Sequence, residues 1–180
     1  MPDPLLVAFV PGVIPGKWER VWRDRRLGRL DLVPMNQDAA LAALGDGTAH
    51  MALVRDTRPD DDRHAIELYR ESHVVVAPKG SLVAAFDSLD LADLADENVL
   101  AVDLLTGSGE DAVELVAANV GVAVMPQALA RVLSRKDVVA RSLRDAPDTA
   151  ISLVWPIDGA HPLAGAFVGV VRGRTARSSR

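Results

Sequence analysis

Residues 5–12 read Leu-Leu-Val-Ala-Phe-Val-Pro-Gly, six apolar side chains closed by two turn-forming residues. An apolar run without polar alternation suits a strand covered on both faces, the habit of parallel sheets. A helical pattern follows. Pro15 fits a first turn, and Trp18, Val21, Trp22 and Arg25 recur at i, i+3, i+4 and i+7. Residues 30–33 predict a second strand and Asn36 an N-cap. Ala40, Leu41 and Leu44 mark the apolar side of a second helix ended by Gly45-Asp46-Gly47, and residues 50–54 predict a third strand. A β-α-β-α-β order with short connections predicts a doubly wound, mostly parallel sheet whose ligand edge lies at the strands' carboxyl ends.

Past a loop holding Pro59 and Asp60-Asp61-Asp62, residues 65–77 are an extended stretch, long enough for a strand pair or a crossing between two lobes. Residues 90–94 read as a short helix with an Asp-x-x-Asp start, and 99–102 as a strand. Ser108 and Asp111 have the spacing of a capping box opening a helix through Ala118, after which Asn119 suits a left-handed end. Residues 120–125 predict a strand. Pro126 opens a helix bearing Leu129, Val132 and Leu133. Residues 138–143 and 150–155 are further strands, and a last helix from Pro162 carries Leu163, Ala166, Phe167, Val170 and Val171. Strands at both ends around a distinct middle predict an inserted lobe: 1–76 and 156–180 form lobe I and 77–155 lobe II, with crossings near Val76 and Trp155.

The chain has 180 residues, 49% apolar and 25% charged, ordinary values for a folded domain. Cysteine is absent, which excludes disulfides, thiolate chemistry and cysteine-based metal sites. Apolar runs of about six residues fall far short of the roughly 18 that span a bilayer. The Met-Pro-Asp-Pro start lacks a secretory pattern, so the expected location is the cytoplasm. Net charge is −5, yet residues 17–29 hold Lys17, Arg20, Arg23, Arg25, Arg26 and Arg29 against only Glu19 and Asp24, and residues 172–180 add four arginines.

The four histidines, His50, His64, His73 and His161, show no metal-ligand spacing, and the three aspartates read as a solvated turn. Ser108 lies between Gly107 and Gly109, but Thr106 and Glu110 break the Gly-x-Ser-x-Gly pattern of a nucleophile elbow. No dinucleotide or phosphate-loop fingerprint occurs, so neither catalysis nor a cofactor is expected. Helix N-termini at Asn36-Gln37 and Ser108-Gly109 offer amides to a small anion, or serve as plain caps. The Trp18/Trp22 pair among arginines reads as a core stripe, a partner contact, or, with the basic tail, the face of a nucleic-acid or protein adaptor.

Several stretches, in order, resemble the effector-binding (substrate-binding) domain of LysR-type transcriptional regulators. They are residues 5–12 above, Ala-Leu-Gly-Asp-Gly-Thr-Ala-His-Met-Ala-Leu-Val-Arg at 43–55, Ser-His-Val-Val-Val-Ala-Pro-Lys-Gly-Ser-Leu at 72–82, Ser-Leu-Asp-Leu-Ala-Asp-Leu-Ala at 88–95 and Glu-Leu-Val-Ala-Ala-Asn-Val-Gly-Val-Ala-Val-Met-Pro at 114–126. Pro-Gly-Lys-Trp at 15–18 and Gly-Val-Val-Arg-Gly-Arg-Thr at 169–175 are similar to a short actinobacterial form of that family. The resemblance implies a two-lobed, type 2 periplasmic-binding-protein-like α/β fold with mostly parallel sheets. It further implies a non-catalytic domain that binds a small anionic metabolite and acts in transcriptional regulation, as a homodimer or through a protein partner. Ligand contacts carried over from the family fall on Val13, Ile14, Asn36, Gln37, Arg55, Asp103 and Ser108. Two departures stand out. A helix-turn-helix is not seen ahead of the first strand, so sequence-specific DNA binding by this chain is not expected. The family's strand and helix between the positions of Leu105 and Glu114 are replaced by a Gly-Ser-Gly turn, so the inserted lobe is expected to be trimmed.

Overall fold

The computed structural model describes residues 3–173. In chain order the elements are β1 Leu5–Phe9, α1 Gly16–Asp24, β2 Leu30–Pro34, α2 Gln37–Asp46, β3 Met51–Arg55, β4 Arg63–Glu71, β5 His73–Pro78, β6 Ser88–Leu89 and β7 Val99–Leu100. They continue as α3 Glu110–Ala117, β8 Val122–Pro126, α4 Gln127–Val132, β9 Val138–Leu143, β10 Thr149–Pro156 and α5 Ala164–Val171. Short 3-10 turns occupy Val83–Ala85 and Leu91–Leu94. The first of these, and β6, have no counterpart in the sequence reading.

The chain forms two compact units, and it passes between them after Tyr69 and again before Ala150. Both crossings come earlier than the expected positions near Val76 and Trp155. The reason is strand pairing. β5 runs between β8 and β9 in the second sheet, whereas β10 pairs with β3 in the first, with Leu153 opposite Leu53.

In the first unit the strand order is β2-β1-β3-β10-β4. β1 lies parallel to both β2 and β3, with Val7 opposite Leu32 and Met51, and β10 is antiparallel. The burial of β1 and β3 follows from their unbroken apolar runs, since helices cover the sheet. Leu5, Val7, Met51, Leu53, Ile151, Leu153 and Phe167 are fully buried. The Trp18/Trp22 stripe of α1 turns inward: the two indoles are 6% and 2% exposed, Trp22 meets Phe167 edge-on at 5.8 Å, and its Nε1–H donates to the Gly28 carbonyl at 2.8 Å. Of the readings open for this pair, the core stripe is the one seen, and indoles used as core cannot stack on bases; the basic tail lies mostly outside the described residues.

The second unit carries the order β6-β9-β5-β8-β7, with β5 antiparallel to β8 and β9, and parallel edge pairs β6–β9 and β7–β8. α3 and α4 cover one face through Val113, Val116 and Leu129. Gly121 is obligatory at the entry to β8: a Cβ there would stand 2.1 Å from the Asn98 carbonyl, which accepts the Val122 amide.

Candidate functional site

The carboxyl ends of β1 and β3 and the start of α2 are joined by side chains that reach across the fold. α2 starts where expected. Asn36 is its N-cap, and its Oδ1 accepts the Ala39 amide at 2.8 Å. The next side chain, Gln37, turns away from the helix and clamps the end of β3: Nε2 donates to the Arg55 carbonyl at 3.1 Å, and Oε1 accepts the Arg55 amide at 2.8 Å. Arg55 in turn sends its guanidinium to the loop after β1, where Nη2 donates to the Pro11 carbonyl at 2.8 Å. It does so from a buried position, 4% exposed. Gln37, Arg55 and Pro11 therefore form one bonded chain. Behind Pro11 the backbone turns through Gly12 at φ 90°, after which Val13 is buried and Ile14 is 68% exposed.

Two residues that the sequence reading passed over complete this corner. Thr57 Oγ1 donates to the Arg55 carbonyl at 3.0 Å. Asp56 adopts a left-handed φ of 45° and exchanges bonds with β10, its amide donating to the Ala150 carbonyl and its Oδ1 accepting the Ala150 amide at 2.8 Å. An Asp directly after a strand was the available signal, since Asp tolerates this backbone region.

Asp103 and Ser108 belong to the second unit, on the segment between β7 and α3. Asp103 serves its own turn. Oδ1 accepts the Leu105 and Thr106 amides at 2.9 and 3.0 Å, and Oδ2 accepts the Thr106 hydroxyl. That hydroxyl bond, followed by the backbone bonds, holds the Asp103 carboxyl below the usual carboxylate range. Ser108 does not head a capping box. The helix starts one residue later, at an N-cap Gly109 with φ 80°, and Ser108 Oγ accepts only the Glu110 amide, at 3.4 Å. With Glu110 and Asp111 in the first turn, the opening of α3 is acidic.

Other polar groups are used for structure. His50 Nδ1 accepts the Leu6 amide at 3.0 Å, its ring lies 4.4 Å from that of His161, and burial followed by His161 pushes its pKa down. Among the described residues no cluster of three His, Cys, Asp or Glu could hold a metal ion, and no helix is long and apolar enough to cross a membrane.

The family model described as LysR substrate binding domain matches residues 25–104 and 100–176. The chain belongs to that family. Its two matched stretches meet at 100–104, beside the expected shortening, and the structure has only a turn-rich segment between β7 and α3. The LysR substrate-binding fold is seen again in solved structures. The BenM effector-binding domain with its effector benzoate shares 16% identity at a TM-score of 0.78, covering 97% of this chain and 93% of that one. A cysteine-substituted OxyR regulatory domain from Pseudomonas aeruginosa shares 17% at 0.77, with both chains covered fully. A cysteine variant of OxyR from Corynebacterium glutamicum shares 18% at 0.75, covering 95% of this chain but 64% of that chain. No curated protein sequence matches. At identities this low the structural likeness establishes the two-lobed, type 2 periplasmic-binding-protein-like fold and nothing beyond it.

Proposed function

We propose that this LysR-type domain is a non-catalytic sensor that takes a small organic anion at the carboxyl edge of its first sheet. The observation that carries this reading is the bonded chain Gln37–Arg55–Pro11. It draws the loop after β1, the start of α2 and the end of β3 together, and it sets a buried guanidinium behind the loop. The Val13 amide is taken by the Val10 carbonyl, so amides at the first turn of α2 and at Ile14 supply the donors for a carboxylate, in the field of Arg55. Asn36 and Gln37 place those amides. Arg55 acts from behind, as a fixed charge and brace. Asp103 and Ser108 shape the segment leading into α3 in the second unit. Regulation of transcription, homodimerisation or a protein partner, and a cytoplasmic setting complete the proposal.

Thermal denaturation against a panel of small carboxylates tests it, headed by benzoate, the effector of BenM, with benzyl alcohol as the uncharged control. A member present at 100 times its dissociation constant adds about 2.7 kcal/mol of stability. A panel without any stabilising carboxylate, or benzyl alcohol matching benzoate, overturns the reading.

A further inference from the structure

Basic residues stand at every third position from 17 to 29, as Lys17, Arg20, Arg23, Arg26 and Arg29, and all five are exposed. The two ends are occupied: Lys17 Nζ lies 4.7 Å over the Trp18 ring, and Arg29 pairs with Asp31 at 3.0 Å. The middle three are not. Arg20, Arg23 and Arg26 have no ion pair or side-chain hydrogen bond among the described residues. The dipole of α1 explains a cation in its last turn, which is Arg23, but neither of the other two. Arg26 is the more telling. It holds a left-handed φ of 53°, a backbone state that costs a residue with a Cβ about 1–2 kcal/mol and glycine nothing. Arg23 and Arg26 border a surface depression of about 260 Å³ with Glu19, Trp22, Gly28 and Leu30.

The geometry points to a phosphate-backbone contact with duplex DNA, made by Arg20, Arg23 and Arg26 without any reading of bases. Guanidinium forks match phosphate oxygens two at a time. Arg20 and Arg23 are about 4.5 Å apart along the axis of α1, and Arg26 stands just past its end, so three uncommitted guanidinium forks lie close together on one exposed surface, where charge favours a polyanion. Base stacking is absent from this surface because its indoles are in the core. The patch also works against an overall charge of −5, so its attraction is local and strongest at low salt.

Fluorescence anisotropy of the full chain with labelled duplexes of about 30 base pairs tests this over roughly 20–200 mM salt. Three phosphate contacts give a slope of log K against log salt near −2.7, the same for two unrelated sequences. Joint Arg20→Gln, Arg23→Gln and Arg26→Gln substitution, with folding checked by circular dichroism, abolishes binding, while Arg174→Gln, Arg177→Gln and Arg180→Gln together leave it in place. Arg26→Gly separates fold from contact: its unfolding midpoint rises while its DNA affinity falls roughly tenfold at low salt and its slope shallows by about 0.9. The inference is overturned if wild type fails to bind, if the tail substitutions alone remove binding, if Arg26→Gly binds like wild type, or if polyglutamate competes as well as DNA.

Discussion

The corner where β1, α2 and β3 end and the segment between β7 and α3 are both rich in polar groups, but they are held differently. In the first, the bonds of Gln37 and Arg55 span 18 and 44 positions and one partner is buried. In the second, Asp103 and Ser108 bond residues two or three positions away, in the open. A long-range junction is a tertiary device: it exists only when the sheet is formed, and its loss is felt through the whole unit. A local turn is nearly self-sufficient, and its loss is felt where it stands. All three tryptophans, Trp18, Trp22 and Trp155, lie in the first unit, so indole fluorescence follows that unit alone while circular dichroism follows both.

The largest effect expected from breaking this contrast is at Arg55. Arg55→Ala leaves the Pro11 carbonyl without its charged donor and empties a buried volume, at a cost of roughly 3 kcal/mol. Urea unfolding followed by tryptophan fluorescence measures it. Gln37→Ala removes two neutral bonds to the β3 backbone and costs about 2 kcal/mol in the same measurement. Because both side chains act on one corner, the double variant loses less than the sum of the singles. Strict additivity would mean that Gln37 and Arg55 brace separate features, and the corner is then not a single junction.

The contrast also governs what the sequence disclosed. Local chemistry was legible: Asn36 caps α2, Gly47 closes it at φ 77°, Asn119 takes a left-handed φ of 62°, and the Trp18/Trp22 spacing marks a core stripe. Long-range use of a side chain left no local trace. Nothing adjacent to Gln37 marks its amide as a clamp for a backbone 18 positions on, and Arg55 looks like any strand-ending arginine until Pro11 is seen beside it. Ser108 misled for the opposite reason. Its spacing to Asp111 fits a capping box, but Gly109 takes the left-handed N-cap position, where a Cβ would also press Leu129 Cδ2 at 3.2 Å, and this shifts the start of α3. The lobe boundaries were missed because the tertiary pairing of β5 and β10, not composition, sets them.

Acid separates the two regions without removing any side chain. In the first unit the His50 Nδ1 must stay unprotonated to accept the Leu6 amide, and its folded pKa lies below the ordinary 6.5 through burial and His161, with Asp3 opposing. A depressed histidine means that the unfolded chain binds the extra proton. Its stabilisation is therefore complete above about pH 6.5 and is lost as pH falls through the lower, folded value. The tryptophan-monitored midpoint falls over that window, and His50→Gln, which keeps an acceptor and cannot titrate, flattens it.

Asp103 gives the smallest effect and the sharpest contrast. Its folded pKa also lies below its ordinary value of 3.8, through the Thr106 hydroxyl first and the turn amides next. For a carboxylate the sign runs to stabilisation that is present above the unfolded pKa and lost only as pH falls through the folded one. The His50 contribution thus begins to weaken below about pH 6.5, whereas this turn in the second unit is untouched until pH reaches the ordinary carboxylate value of 3.8. Asp103→Asn retains an acceptor for the Leu105 and Thr106 amides but removes the charge. At neutral pH it leaves the tryptophan midpoint where it was, and below about pH 4 it lessens the acid-induced loss of ellipticity. A tryptophan midpoint that moves with Asp103 at neutral pH would show the turn to be coupled to the first unit, and the division between a long-range corner and a self-contained loop would then be wrong.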